Sequence, residues 1–112
     1  MWFKSEEHSK SYADLKSRAR TAGDVEYLAA LYVLGAIGKN VSEYVYPGGI
    51  RFKRLAEDSA SWSSGEKALI RLAATLFNSL AWPVTVQDVF CHLDRDNARV
   101  ALEALKIRYC WD

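Results

Sequence analysis

The sequence predicts an all-α protein, a compact single-domain helical bundle over residues 1–112 with three long helices and short connecting helices. Apolar residues recur at helical spacing in several segments, polar residues suited to capping stand before most of them, and no convincing alternating strand occurs. A chain of 112 residues fits one domain, and its 50% hydrophobic content is enough to fold around one core.

The first long helix is predicted over about 5–21. Ser5 is suited to its N-cap, and Glu6 and Glu7 suit the positive end of the helix dipole. One narrow stripe recurs at i, i+4, i+7 and i+11: His8, Tyr12, Leu15 and Ala19. A single stripe of this kind predicts a helix on the surface of the bundle.

The second long helix is predicted over about 24–38, with Asp24 as its cap. Between Asp24 and Lys39 the only charged residue is Glu26. A helix that is apolar on nearly all sides belongs in the middle of a bundle. We expect Gly35 to let a neighbouring helix come close, because it has no side chain.

Two short helices are expected next. Asn40 and Glu43 have the spacing of a capping box, which predicts a short helix that ends before Pro47. Residues 51–58 predict two further helical turns with Phe52, Leu55 and Ala56 facing inward.

The third long element is predicted over 64–79 or 95–109. Ser63 and Glu66 form a second capping-box pattern, and the helix they open is expected to stop before Pro83. Thr85 is expected to cap a short turn of helix through residue 90. Asp94 or Asp96 then caps the last helix, whose inward stripe is predicted to be Ala98, Ala101, Leu102, Leu105 and Tyr109.

The start of the 64–79 helix also resembles the signature motif of chromosome-maintenance ATPases, since residues 64–69 read SGEKAL. Nucleotide hydrolysis needs a phosphate-binding Gly-x-x-x-x-Gly-Lys-Ser/Thr loop, and the sequence has none. We therefore interpret Ser63, Ser64 and Gly65 as a helix start, with an anion contact at its amides as the alternative.

No metal, cofactor or enzymatic activity is expected. Cys91 and His92 have no further ligands at zinc-site spacing, and the run that begins at Asp94 lacks the glycine and glutamate of a calcium loop. Two cysteines do not make a disulfide framework, so we expect reduced thiols, with Cys91 a small buried hydrophobic residue.

Charge favours neither nucleic acid nor an anionic membrane as a partner, because 15 basic and 14 acidic residues leave a net +1. A local cluster of Arg51, Lys53 and Arg54 surrounds Phe52 and is the alternative, a small phosphate-binding patch with a stacking ring. In the competing interpretation Phe52 points inward and the cations are merely solvated.

Aromatic residues at the ends of the predicted helices give the main functional hypothesis. Exposed aromatic side chains often mark protein interfaces, so we predict protein–protein contact or self-association through Trp2, Phe3, Trp62 and Trp111. Alternatively, the terminal rings fold back and seal the bundle.

Four stretches together resemble a family of small uncharacterised proteins from Gram-positive bacteria and their prophages: 3–8 (FKSEEH), 26–34 (EYLAALYVL), 63–69 (SSGEKAL) with 76–78 (LFN), and 93–94 (LD) leading to 104–108 (ALKIR). The resemblance implies a bacterial or phage-derived cytoplasmic protein with no assigned activity. The first ten residues lack the apolar run of a signal peptide, and the longest apolar stretch, 27–37, is short of the ~20 residues that span a bilayer.

Overall fold

A computed structural model describes residues 1–21 and 23–111. These residues form α1 (Glu6–Ala19), α2 (Val25–Gly35), a 3₁₀ turn (Ser42–Tyr44), β1 (Val45–Tyr46), β2 (Gly49–Ile50), α3 (Phe52–Asp58), α4 (Ser64–Phe77), α5 (Val86–Phe90) and α6 (Arg95–Tyr109). The predicted all-α class is confirmed. The third long helix was predicted over 64–79 or 95–109, and both segments form long helices, α4 and α6. The bundle therefore has four long helices, one more than predicted.

Helix α2 lies at the centre of the bundle, as predicted. It packs against α1, α4 and α6, and every residue from 29 to 37 is buried. Its N-cap is Asp24, whose carboxylate accepts from the Glu26 N–H. A helix with no polar face is stable only when surrounded in this way.

Helix α1 covers one side of α2 with the predicted stripe, and all four of its residues are buried. The two helices approach closely at Gly35. A methyl group at Gly35 would lie 3.1 Å from the Tyr12 backbone nitrogen and 3.4 Å from its Cα. The glycine therefore sets the spacing of the pair, as expected from its missing side chain.

A small hairpin corrects the prediction that the chain has no strand. Strands β1 and β2 pair antiparallel, with Val45 opposite Ile50 and Tyr46 opposite Gly49. Two-residue strands are too short to show alternation in the sequence. The expected capping box before the hairpin is also absent: Asn40 Oδ1 accepts from the Ser42 N–H and hydroxyl, and the result is a single 3₁₀ turn.

Helices α3 and α4 differ from expectation in detail. In α3, Phe52 and Leu55 are buried but Ala56 is exposed, and Ser59 is buried instead because the chain turns inward at the helix end. Helix α4 ends at Phe77, well before Pro83. Asn78 terminates it in an extended conformation, and its side chain accepts from the Ala81 N–H.

The predicted inward stripe of α6 was only partly right: Ala101 is buried and the half-buried Leu105 packs against the core, but Leu102 and Tyr109 do not face inward. The buried residues are Val100, Ala101 and Ala104, whereas Leu102 and Tyr109 are each 54% exposed. Helix α6 lies directly on α2, and its small residues allow that close contact. Two apolar stripes therefore run along α6, and the one with the larger side chains faces outward.

Cys91 is exposed, which corrects its expected burial, and Cys110 is exposed as well. Cys91 lies at the end of the short helix α5, which buries only Val89. No helix in the described ranges has the length and apolar character needed to cross a membrane. The same residues contain no group of three or more His, Cys, Asp or Glu side chains placed to hold a metal ion.

Candidate protein-interaction surface

The N-terminal aromatic residues pack onto the bundle and are half-buried. The Trp2 carbonyl accepts a hydrogen bond from the Tyr32 hydroxyl, and the Arg99 guanidinium lies 4.3 Å from the centre of the Trp2 ring. The Phe3 ring lies 5.1 Å from His8 and 5.7 Å from Tyr32. Trp2 and Phe3 thus bind the N-terminal segment to α2 and α6.

His8 is the centre of this aromatic group, and the sequence indicated only that it faces inward. Its Nε2–H donates to the Tyr32 carbonyl at 2.7 Å, and its Nδ1 accepts from the Lys4 N–H at 3.2 Å. Burial lowers the pKa of His8, although its bond to the Tyr32 carbonyl opposes that effect. Both ring nitrogens are occupied by main-chain groups, so this histidine has a structural position.

At the start of α4, where an anion contact was the alternative interpretation, side chains of the protein accept from the Ser63 and Glu66 N–H groups. Ser63 and Glu66 form the expected capping box, and Glu66 Oε1 accepts from the Ser63 N–H at 3.0 Å. That hydrogen bond lowers the pKa of Glu66. A methyl group at Gly65 would meet the His92 carbonyl oxygen at 3.1 Å. Ser64 is exposed beside them.

Trp62 precedes this helix start and is half-buried. The Lys39 ammonium lies 5.3 Å from its ring centre and 3.5 Å from Glu66 Oε2. One cation therefore contacts both the aromatic ring and the capping carboxylate, which ties the loop after α2 to the start of α4.

Arg51, Lys53 and Arg54 are exposed at the start of α3 and line a shallow groove of about 800 Å³, the basic groove. Phe52 is 3% exposed, so its ring is not free to stack on a base. Two half-buried rings, Phe77 and Trp82, line the groove instead. The cations are partly engaged: Arg54 lies 3.7 Å from Asp58, and Arg51 lies 5.0 Å from the Tyr46 ring centre.

The outer face of α6 carries an apolar stripe that the fold covers only in part: Leu102 and Tyr109 are exposed, whereas Ala98 and Leu105 are half-buried. We call it the outer α6 stripe: Ala98, Leu102, Leu105 and Tyr109. Its steps of four, three and four residues match the repeat by which one helix packs along another in a coiled coil. Leu102 and Tyr109 are more than half exposed, so their contact area is free.

Trp111 extends the stripe beyond the helix. It is 64% exposed, and its ring centre lies 6.0 Å from that of Tyr109. Cys110 adopts a left-handed conformation, and the Trp111 N–H donates to the Lys106 carbonyl at 2.9 Å. This C-terminal cap fixes the main chain at Trp111, so the aromatic side chain is presented from a defined position.

Positive charge borders the outer α6 stripe. At about 100° per residue, Arg95, Arg99 and Lys106 lie within about 60° of Leu102 around the helix axis. All three are exposed. The acidic residues Asp96 and Glu103 lie farther round, at about 100° or more from Leu102. Lys106 pairs with Glu103 at 3.3 Å and Arg99 lies over the Trp2 ring, so the face has an apolar centre and a rim that is basic on balance.

Comparison with known protein families assigns the chain to one family. Residues 1–112 match the model described as a family of unknown function, DUF6075. The chain belongs to DUF6075. No curated protein and no solved structure matches it. The outer α6 stripe, Trp111 and the basic groove all lie within the segment that the DUF6075 model covers.

Proposed function

We propose that this DUF6075 chain is a non-enzymatic binding module that docks an acidic amphipathic helix of a partner protein on the outer α6 stripe and Trp111. The observation that carries the proposal is that Leu102 and Tyr109 are more than half exposed on α6, whose other side fills the core, and that the exposed Trp111 ring lies next to Tyr109 just beyond the helix.

The side chains of the stripe are of the kinds that contribute most binding free energy when a partner helix buries them. Full burial of a leucine-sized side chain contributes roughly 1.5–3 kcal/mol, and binding energy concentrates in a few buried anchors, among which tryptophan and tyrosine are enriched. Tyr109 and Trp111 supply such anchors at one end, and Leu102 lies two helical turns away. The helical spacing favours a helix as the docked element.

The basic rim favours a different, acidic chain over a second copy. In an antiparallel pair of α6 helices, Arg99 and Lys106 would approach the same basic residues of the other copy. Like charges across an interface disfavour association, whereas glutamates flanking a partner's leucines would be complementary.

A designed peptide tests the proposal. The probe is a helical peptide with leucines at coiled-coil spacing flanked by glutamates, and its counterpart carries lysines at the flanking positions. Fluorescence anisotropy should show binding of the acidic peptide, and at least tenfold weaker binding to the double variant Leu102→Ser/Tyr109→Ser and to Trp111→Ala.

The matched control is Leu80→Ser, which removes a leucine that is 95% exposed but lies outside α6. We expect it to leave peptide binding unchanged. Equal binding of the two peptides, no binding, or an equal loss in Leu80→Ser would overturn the proposal. A dimer in light scattering that Leu102→Ser dissociates would assign the stripe to a second copy instead.

The setting we propose is the cytoplasm of a Gram-positive bacterium or its prophage, supported by the four stretches of sequence named above. Gene neighbourhoods across the family test it. Repeated placement among phage genes is expected, and scattered placement in unrelated genomes would contradict the prophage setting.

A second candidate function is nucleic-acid binding at the basic groove, favoured by the presence of Trp82 and Phe77 beside Arg51 and Lys53. Single-stranded DNA and RNA should then bind with an affinity that falls steeply as salt rises, and Lys53→Ala should reduce that slope while Lys10→Ala should not. Absence of binding at low salt would exclude it.

A further inference from the structure

A separate apolar pocket lies where α3, α4 and the segment before α5 meet. Its volume is about 290 Å³, and its main lining residues are Ser59, Ile70, Ala81, Trp82, Pro83 and Val84. Trp82 also lines the basic groove, so its ring forms the wall between the two depressions. None of the residues of the outer α6 stripe takes part.

Two cations stand at the edge of this pocket. Lys67 and Arg71 line it from α4, where their i, i+4 spacing places them on the same face. The Lys67 ammonium donates to the Ala60 carbonyl at 3.2 Å, and an Arg71 guanidinium N–H donates to the Asp88 carbonyl at 3.2 Å.

Neither cation is neutralised by an ion pair. Within the described ranges, no carboxylate oxygen lies within 4.0 Å of the Lys67 or Arg71 side-chain nitrogens. The carboxylate of the nearby Asp88 accepts instead from the Thr85 N–H at 3.2 Å, as part of the cap of α5. Two positive charges therefore line an apolar cavity, and each of these side chains has N–H groups beyond the one that donates to a carbonyl.

We propose that this pocket binds a small amphiphilic carboxylate. Its apolar body lies against Ile70, Trp82 and Val84, and its carboxylate contacts Lys67 and Arg71. Ligand sites combine apolar walls with a few placed polar groups, and a volume near the lower end of the usual range of about 300–1,000 Å³ selects a compact ligand. Inorganic phosphate would match the charge but leave the apolar walls empty.

Phenylacetate is a suitable probe, and phenylacetamide is its neutral counterpart of nearly the same shape. Calorimetry and amide chemical-shift mapping should show saturable binding of phenylacetate, with shifts centred on residues 81–84. The amide should bind at least tenfold more weakly, because it cannot use the two cations.

Variants separate this pocket from its neighbours. Lys67→Gln/Arg71→Gln should weaken phenylacetate binding at least tenfold, whereas Lys53→Gln, which removes a cation of the basic groove, should not. Both sets of changes lie on partly or fully exposed side chains, so circular dichroism should show unchanged folding. The same double variant should leave peptide docking on α6 intact, so the two proposals fail independently.

Three results would overturn the inference: no saturable binding at millimolar phenylacetate, equal affinity for the acid and the amide, or shifts that map to the basic groove. The last would assign the anion to Arg51, Lys53 and Arg54 instead.

Discussion

His8 acts as a side-chain cap for the end of α2. The Ala36 N–H donates to the Val33 carbonyl, which leaves the Tyr32 carbonyl free, and the His8 ring donates to it. The sequence predicted that His8 faces inward, since it begins the α1 stripe. It could not predict the partner, because the bond joins residues 24 positions apart on different helices.

This arrangement predicts a loss of stability in mild acid. Burial lowers the pKa of His8 in the folded state, so as pH falls below about 6.5 the unfolded chain takes up a proton that the folded chain does not. The free energy of unfolding should therefore decrease with falling pH, by at most about 1.4 kcal/mol per pH unit. Urea unfolding at pH 7, 6 and 5.5 measures the slope.

Two variants check that prediction. His8→Gln keeps a donor for the Tyr32 carbonyl but does not titrate, so the slope between pH 7 and 5.5 should flatten. His92→Gln removes the exposed histidine and should leave the slope as it is. A slope that survives in His8→Gln would assign the pH dependence to other groups.

At the scale of the helices, local capping explains the motif that resembles a nucleotide-binding signature. Ser63→Ala removes the acceptor for the Glu66 N–H and should lower the free energy of unfolding by about 1 kcal/mol. Ser64→Ala is the matched control, because its exposed side chain belongs to the first turn and no cap depends on it. Chemical denaturation should give the two variants free energies of unfolding that differ by most of that amount. Equal stabilities would contradict the capping role.

Capping patterns were the part of each helix that the sequence predicted best. Ser5, Asp24, Ser63, Thr85 and Asp94 all cap the helices expected of them. Capping depends on a few adjacent residues, so it can be inferred locally. Asn40 is the exception, because its Oδ1 accepts from the N–H of Ser42, two residues later. Asparagine side chains can form this local hydrogen bond in place of a helix cap.

The face that a helix buries was harder to predict. Helix α6 carries apolar residues on two different sides, and the larger residues suggested that Leu102 and Tyr109 face inward. In the fold, Val100, Ala101 and Ala104 face α2 because the centre of the bundle needs small side chains there. The candidate surface was therefore anticipated only through Trp111, since its other members had been assigned to the core.

At the scale of the whole molecule, stability should be unevenly distributed around α2. This helix contacts three other long helices, so its amides can exchange with solvent only when the bundle opens as a whole. Helix α5 has five residues and buries only Val89, so its amides can exchange through local opening. The two helices should therefore report different free energies in native-state hydrogen exchange.

A core variant separates the two processes. Val33 is fully buried, and Val33→Ala removes two methyl groups, which should lower global stability by about 2 kcal/mol. The opening free energy measured at the slowest α2 amides should fall by the same amount, so these amides exchange faster. Exchange in α5 should stay unchanged, because local opening of α5 does not expose Val33. If exchange of the α5 amides accelerates equally, the two helices unfold together, and the short helix opens only in the global unfolding that exposes α2.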